Sequence, residues 1–255
     1  MGKIVGIGGG DMAALETLEL ERRVVELSGK EQPRALFIPT ASSDSVERWN
    51  VFKSIYRARL GCQTEVLYLL NRNPSQHELQ DRLLSADVIY VGGGNTLKMM
   101  RRWRRLGVDG LLTAAYERGT VLAGRSAGMI CWFKYGHSDS MSFYRGAGWS
   151  YVRVRGLGLI DGFACPHYNV PPDTSVRGGR SRAEDFQRMA AKYPETGIAL
   201  DNHCAIEIVD DGYRVITSRP GVGAYKIAKG AGIQMVERLE PSAGYTPVAT
   251  LLGRP

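Results

Sequence analysis

The stretch Val121-Leu122-Ala123-Gly124-Arg125-Ser126-Ala127-Gly128-Met129-Ile130 decides how this chain is read. Apolar residues run into Gly124, a serine stands two positions on, Gly128 follows, and apolar residues resume. Gly124-Arg125-Ser126-Ala127-Gly128 is therefore a GxSxG pattern between a strand at 120–123 and an apolar run, Met129-Ile130-Cys131-Trp132-Phe133, expected to open a helix. The chemistry needs this arrangement. A serine in a tight strand-to-helix turn projects its hydroxyl from the sheet, and small neighbours let the chains approach closely. The backbone N–H of the next residue, Ala127, then points near the nucleophile, and the start of a helix favours developing negative charge. Ser126 is the expected nucleophile.

Upstream of the elbow, strand and helix signals alternate. Strands are expected at 3–8, 34–39, 64–69 and 87–91. Helices are expected at 13–28, 46–60, 75–84, 96–106 and 110–118. Such alternation predicts an α/β fold: a flavodoxin-like three-layer sandwich with a mostly parallel central sheet and helices on both faces. Downstream, strands at 158–165, 198–200 and 205–209 continue the sheet around a helix at 181–192. Asp210-Asp211-Gly212 marks a hairpin into a strand at 213–216, with another near 224–227. The expectation is one domain over 1–255, with a small antiparallel, hairpin-rich addition from about 205.

A second glycine loop, Gly92-Gly93-Gly94-Asn95-Thr96, also follows a strand and opens a helix. Its N–H groups can form an anion-holding concavity, for a phosphate or for an oxyanion opposite Ala127. No Gly-Lys-Ser/Thr follows, so it is not a Walker loop. Gly6-Ile7-Gly8-Gly9-Gly10 matches a dinucleotide fingerprint only loosely, because Asp11 stands where the third glycine belongs. A hydroxyl nucleophile needs a general base. Of the four histidines, His77 lies in a polar helix and His137 close to the elbow helix. His167, in Cys165-Pro166-His167-Tyr168, follows an apolar strand, and His203 is its rival in Leu200-Asp201-Asn202-His203. Ligands gather at the C-terminal ends of parallel strands, which favours His167. Asp139 and Asp201 are the candidate orienting acids, with Asp161 and Asp173 behind them.

Composition narrows the classes. The 255 residues carry a net charge of +7, are 44% hydrophobic and 23% charged, and include four cysteines. These values suit a globular domain. No apolar run approaches the roughly 20 residues of a membrane span, and the apolar stretch after Lys3 is too short for a signal peptide. Cys62, Cys131, Cys165 and Cys204 form no CxxC pair, so reduced thiols in a cytoplasmic protein are expected rather than a zinc site or disulfides. Arg101-Arg102-Trp103-Arg104-Arg105 reads as a solvated helix face with Trp103 turned inward. No nucleic-acid module frames it, so neither nucleic acid nor membrane is an expected partner. Assembly into a homo-oligomer is left open.

The glycine loop with Asn95-Thr96, the GxSAG elbow followed by Trp132, the segment Ser138-Asp139-Ser140 and the triplet Pro166-His167-Tyr168 together resemble the peptidase E family, serine dipeptidases related to cyanophycinase. The resemblance spans roughly residues 3–217. It implies a class I glutamine amidotransferase-like fold, in which the amidotransferases themselves carry cysteine at the elbow. It also implies Ser126 as nucleophile, His167 as base, Asp139 as acid, and Gly93 or Gly94 with Ala127 as oxyanion donors. The family's best-known member removes an N-terminal aspartate from dipeptides, and others accept different peptides. An arginine at a similar helix start points to Arg182, with Arg180, as the group for a substrate carboxylate, and Asn95 is expected at the substrate too. Many relatives place a glutamate where this chain has Asn202, and Arg125 is bulky for an elbow. The expectation is a cofactor-free, metal-free serine peptidase acting on short peptides, with an N-terminal aspartate preference to be tested. The alternatives are an esterase or amidase on the same site and a catalytically silent binding protein.

Overall fold

The computed structural model of the chain describes residues 2–230 and 233–253. The first half alternates as the pattern demands: β1 (Lys3–Ile7), α1 (Leu18–Glu26), β2 (Arg34–Ile38), α2 (Val46–Tyr56), β3 (Gln63–Val66), α3 (Gln76–Leu84), β4 (Val88–Val91), α4 (Thr96–Leu106), α5 (Val108–Glu117) and β5 (Val121–Arg125). The second half runs α6 (Ala127–Ile130), β6 (Phe133–Ser138), β7 (Val152–Arg155), β8 (Ile160–Cys165), α7 (Arg182–Ala190), β9 (Gly197–Leu200), β10 (Cys204–Val209), β11 (Gly212–Thr217), β12 (Ala224–Gly230), β13 (Ile233–Leu239), β14 (Thr246–Pro247) and α8 (Val248–Leu252).

Among the described residues the strands form two sheets, not one. The first has eight strands in the order β14-β11-β10-β1-β5-β4-β2-β3. Its β1, β5, β4, β2 and β3 are parallel, and β10, β11 and β14 add on antiparallel. The second has six strands in the order β13-β12-β9-β8-β6-β7, with a parallel centre of β6, β8 and β9. The α/β class holds, but the expected single central sheet is corrected. The reason lies just past the elbow. Residues 129–133 were expected to open a helix, yet α6 is a single turn and Phe133 begins β6. Phe133–Ser138 supplies the parallel neighbour on which β8 docks, so β8 and β9 build a sheet of their own. A short apolar run does not by itself separate buried helix from buried strand.

Side chains alternate across the first sheet as its pleat requires. Val5 and Ile7 of β1 pack with Leu20 and Val24 of α1 and Phe52 of α2, while Ile4 packs toward the opposite face with Met99 and Trp103 of α4. Burial on both faces explains the apolar runs of these parallel strands. Phe163 of β8 and Phe186 of α7 form a further cluster on the second sheet. The basic run on α4 is a solvated face with Trp103 turned inward: Arg101, Arg104 and Arg105 are exposed. Trp103 is fully buried and donates to Thr40 Oγ1 at 3.3 Å, while Arg102 and Arg104 bond the carbonyls of Leu69 and Arg155. All four cysteines are buried free thiols. No helix among the described residues is long and apolar enough to cross a membrane.

Candidate active site

Three strand ends of two different sheets meet at one cleft, and the glycines after β1 join them. The carbonyl of Ile7 accepts the Ser126 N–H at 3.0 Å, that of Gly8 the His167 N–H at 3.2 Å, and that of Gly9 the His203 N–H at 2.9 Å. Three successive carbonyls thus hold the residues that follow β5, β8 and β9. Only a chain without side chains fits here. A Cβ on Gly9 would overlap Asn202 Oδ1 and His167 Nδ1, and one on Gly8 would overlap the Asp201 carbonyl. The run that loosely resembled a nucleotide fingerprint is a scaffold for this site.

Ser126 has φ 58° and ψ −111°, a conformation that an L side chain rarely adopts. Its carbonyl accepts from Met129 N at 2.9 Å and Ile130 N at 3.0 Å, which closes the turn. Gly124 and Gly128 make that turn sterically feasible, since a Cβ on either would run into neighbouring backbone. Strain of this kind at a strand-to-helix turn is what a nucleophile elbow requires. The single turn of α6 lends less helix dipole than a full helix would, so local N–H groups matter more here. Gly93 lies alongside: a Cβ there would stand 3.2 Å from Ser126 Cβ and 3.7 Å from its Oγ. Gly94, at φ 140°, is pressed against the Ala41 carbonyl and also lines the cleft. Ser126, Gly93, Gly94, Asp139, His167, Asn202 and His203 all border this cleft of about 740 Å³.

His167 follows β8 with φ 55°, and its Nδ1 lies 2.6 Å from Asn202 Oδ1. An amide oxygen can only accept, so Nδ1 carries the proton and Nε2 is left as the acceptor. Burial lowers the His167 pKa to about 4, helped by the positive charge of Arg182 and opposed by the Asn202 bond. The ring is therefore neutral at neutral pH. Asn202, which stands where many relatives of the resembled family place a glutamate, is the residue that contacts His167. That position was the signal available in the sequence. Asp201 points elsewhere, accepting from Gly223 N at 3.0 Å and Tyr225 Oη at 3.3 Å.

Asp139 lines the cleft, where it accepts from Arg182 Nη1 at 3.2 Å. Arg182, the expected carboxylate-binding group, is placed at the start of α7. Ser181 caps α7 through a capping box with Glu184, which sets Arg182 at the first helical position and turns it inward. There it is 4% exposed, bonded to Asp139 and to the His137 carbonyl at 3.0 Å, with its charge 5.0 Å from the Tyr151 ring. It does not line the cleft, and its charge is already paired. Arg180 also lies off the cleft, against Gly178. Asn95 is likewise absent from the residues that border the cleft. It is buried as the N-cap of α4, accepting from Lys98 N at 3.0 Å and donating to the Ser140 carbonyl at 3.4 Å. The cations that do border the cleft are Arg48 of α2 and Arg125 of the elbow, which bonds the Gly10 carbonyl.

His137 is fully buried, with Nε2 3.0 Å from Asp185 Oδ1 and Nδ1 3.7 Å from Cys165 Sγ. The order Cys-His-Asp looks catalytic, but burial pushes the Cys165 thiol up to about 12, so no thiolate forms there at neutral pH. His203, the rival base, sits in the cleft with Nε2 3.8 Å from Glu16 Oε2. Among the described residues no cluster of three or more His, Cys, Asp or Glu side chains is arranged to hold a metal ion.

The model of peptidase family S51 matches residues 4–216. The chain is 35% identical over 231 residues to the uncharacterized peptidase YgaJ of Bacillus subtilis, covering 89% of this chain and 92% of that one. It is 29% identical over 187 residues to the uncharacterized peptidase Lmo0363 of Listeria monocytogenes, covering 72% and 84%. Among solved structures, a peptidase from an acI-B1 Actinobacterium shares the fold, with a TM-score of 0.70 over 97% of both chains at 20% identity.

Proposed function

The chain belongs to peptidase family S51, the peptidase E family, and on that premise we propose that it is a serine peptidase that cleaves short peptides, in the first place dipeptides. The observation that carries the reading is the strained Ser126 turn sharing one cleft with a neutral His167 whose tautomer Asn202 sets. Ser126 Oγ attacks the peptide carbonyl while His167 Nε2 takes its proton. The developing oxyanion is held by N–H groups of Ala127 and the Gly93–Gly94 loop. His167 then protonates the leaving amine, and water, activated by the same ring, hydrolyses the acyl-enzyme. Asn202 takes the orienting part that a carboxylate has in most such triads, as asparagine does in papain-like enzymes.

Asp139, paired with Arg182, shapes the cleft wall instead of orienting the base. A substrate carboxylate, whether terminal or an aspartate side chain, would meet Arg48 or Arg125, the cations that border the cleft. An N-terminal aspartate preference would therefore rest on those two residues. The test is direct. A fluorophosphonate should label the wild type at Ser126 and leave Ser126→Ala unlabelled, and a dipeptide panel should show hydrolysis that the variant loses by roughly a millionfold, as for a triad acting as a unit. A wild type that is neither labelled nor active, or a variant with near wild-type turnover, removes the serine mechanism.

A further inference from the structure

Among the described residues three carboxylates border the catalytic cleft, Asp11, Glu16 and Asp139, and their bonding sets them apart. Both Glu16 oxygens are engaged: Oε2 accepts from Asp11 N at 2.8 Å and Oε1 from the Arg219 guanidinium at 2.6 Å. Asp11 Oδ1 accepts from Ala13 N at 2.8 Å, and the residue shares a side recess of the cleft with Arg48 and Arg125, whose positive charges offset its own. Asp139 is held differently. Arg182 Nη1 binds its Oδ2 at 3.2 Å, while Oδ1 takes no hydrogen bond among the described residues and the side chain is 32% exposed.

The backbone on both sides of Asp139 is pinned. Ser138 Oγ donates to Thr96 Oγ1 at 3.1 Å and lies 2.8 Å from Ser140 Oγ, which in turn accepts from Leu97 N at 3.0 Å. These buried hydroxyls tie the end of β6 to the first turn of α4, directly after the glycine loop. Ser142 N then closes back on the Asp139 carbonyl at 2.8 Å. Asp139 is also near the chemistry. Burial is the main influence on the His167 pKa, and of the charges around it Arg182 lowers the value while Asp139 raises it. The cleft wall beside Ser126 and His167 therefore carries a fixed carboxylate with one oxygen held by a buried arginine and the other unused.

An N-terminal residue about to be cleaved carries its α-ammonium group only about 2.5 Å from the scissile carbonyl carbon, across two bonds. Whatever receives that ammonium must stand close to the nucleophile and base. A carboxylate has about four acceptor positions, so one guanidinium bond leaves room for the donors of an ammonium. We propose that Asp139 is the receptor for the substrate's α-ammonium group, through Oδ1, and so restricts the enzyme to peptides with a free N-terminus. The inference rests on the serine peptidase reading above, and it gives Asp139 a role in specificity rather than in orienting the base. Arg48 and Arg125 border the same cleft, so a short peptide meets opposite charge at both of its ends. Loss of a hydrogen bond to a charged group lowers affinity roughly 10–100-fold, which kinetics can read.

The experiment compares Ala-Ala with propionyl-alanine, and Asp-Ala with succinyl-alanine, pairs in which hydrogen replaces the ammonium. Each is assayed on wild type and Asp139→Asn, alongside fluorophosphonate labelling. The expected wild-type ratio of kcat/KM, aminated over deaminated, is at least a hundredfold, and Asp139→Asn should cut it at least tenfold through the aminated substrates alone. Asp139→Asn combined with Arg182→Gln removes the ion pair as a whole and leaves no buried cation unpaired, so it keeps the test decisive should the single variant fold poorly. The same collapse of the ratio is expected there. A wild type that cleaves both members of each pair equally, or labelled variants whose ratio is unchanged, overturns the ammonium role and leaves the catalytic reading standing. So does a collapse in Asp11→Asn in place of Asp139→Asn, or an equal loss on aminated and deaminated substrates together with lost labelling, which would make Asp139 part of the base's support. A wild type without labelling or hydrolysis overturns both readings.

Discussion

Replacing Asn202 by aspartate converts the Ser-His-Asn arrangement into one with a carboxylate, and the consequence can be worked from the structure. Asn202 Oδ1 lies 2.6 Å from His167 Nδ1, and burial holds the ring's pKa at about 4. A unit negative charge whose centre lies about 4 Å from the imidazolium, at an effective dielectric of about 20, favours the charged ring by about 4 kcal/mol, or about three pKa units. Desolvation of the new carboxylate opposes part of this, so a rise of about two units, to about 6, is expected. A general base works when neutral, so the acidic limb of kcat/KM falls at its pKa. Wild type should stay flat from pH 8 to pH 5 and lose activity near pH 4. Asn202→Asp should lose about tenfold by pH 5, because only about a tenth of a ring with a pKa near 6 is neutral there. Asn202→Leu removes the acceptor and should lower kcat by roughly 10²–10⁴ at all pH values, through loss of tautomer and orientation. The assay is the pH profile of kcat/KM on a cleaved dipeptide. An acidic limb that does not move in Asn202→Asp means that His167 is not the base or that Asn202 does not govern it.

Three further outcomes follow from the same geometry. Gly9→Ala should cut activity by roughly a hundredfold, since its methyl group must push Asn202 or His167 aside and misplacement by about 1 Å costs that much; unchanged kinetics would mean that the glycine scaffold does not set the base. Arg182→Ala should cost roughly 2–4 kcal/mol in a urea titration, because it removes a buried cation and leaves Asp139 unpaired, and it should alter acidic and neutral substrates alike; a loss confined to aspartyl substrates would restore Arg182 to the binding site. His137 is buried with its pKa lowered to about 4, so below pH 6.5 the unfolded chain binds the extra proton and stability falls as pH drops, by up to about 3 kcal/mol once the pH is below 4; urea midpoints that do not fall more steeply in wild type than in His137→Gln between pH 7 and pH 4 would contradict this.

Short-range information in the sequence was enough for the elbow, the glycine loop and the α/β class. Small residues at Gly124 and Gly128 around Ser126 are demanded by a turn of a few residues, and alternating apolar runs are demanded by strands buried on both faces. His167 was legible as a residue past an apolar strand, and the structure sets it in the same cleft as Ser126. What the tertiary structure alone decided depends on which distant segments pair. The apolar run Met129–Phe133 could open a helix or lead into a strand, and only the docking of Phe133–Ser138 beside β8 makes that segment a strand and splits the fold into two sheets. The partner of His167 followed from that split. Asn202 arrives just past β9, next to β8, while Asp139, on the other side just past β6, meets Arg182 from the start of α7. A carboxylate's charge and an arginine's charge are visible in sequence. Whether they face substrate or each other is settled by burial, because a buried guanidinium without a partner is too costly to leave facing an open cleft unpaired.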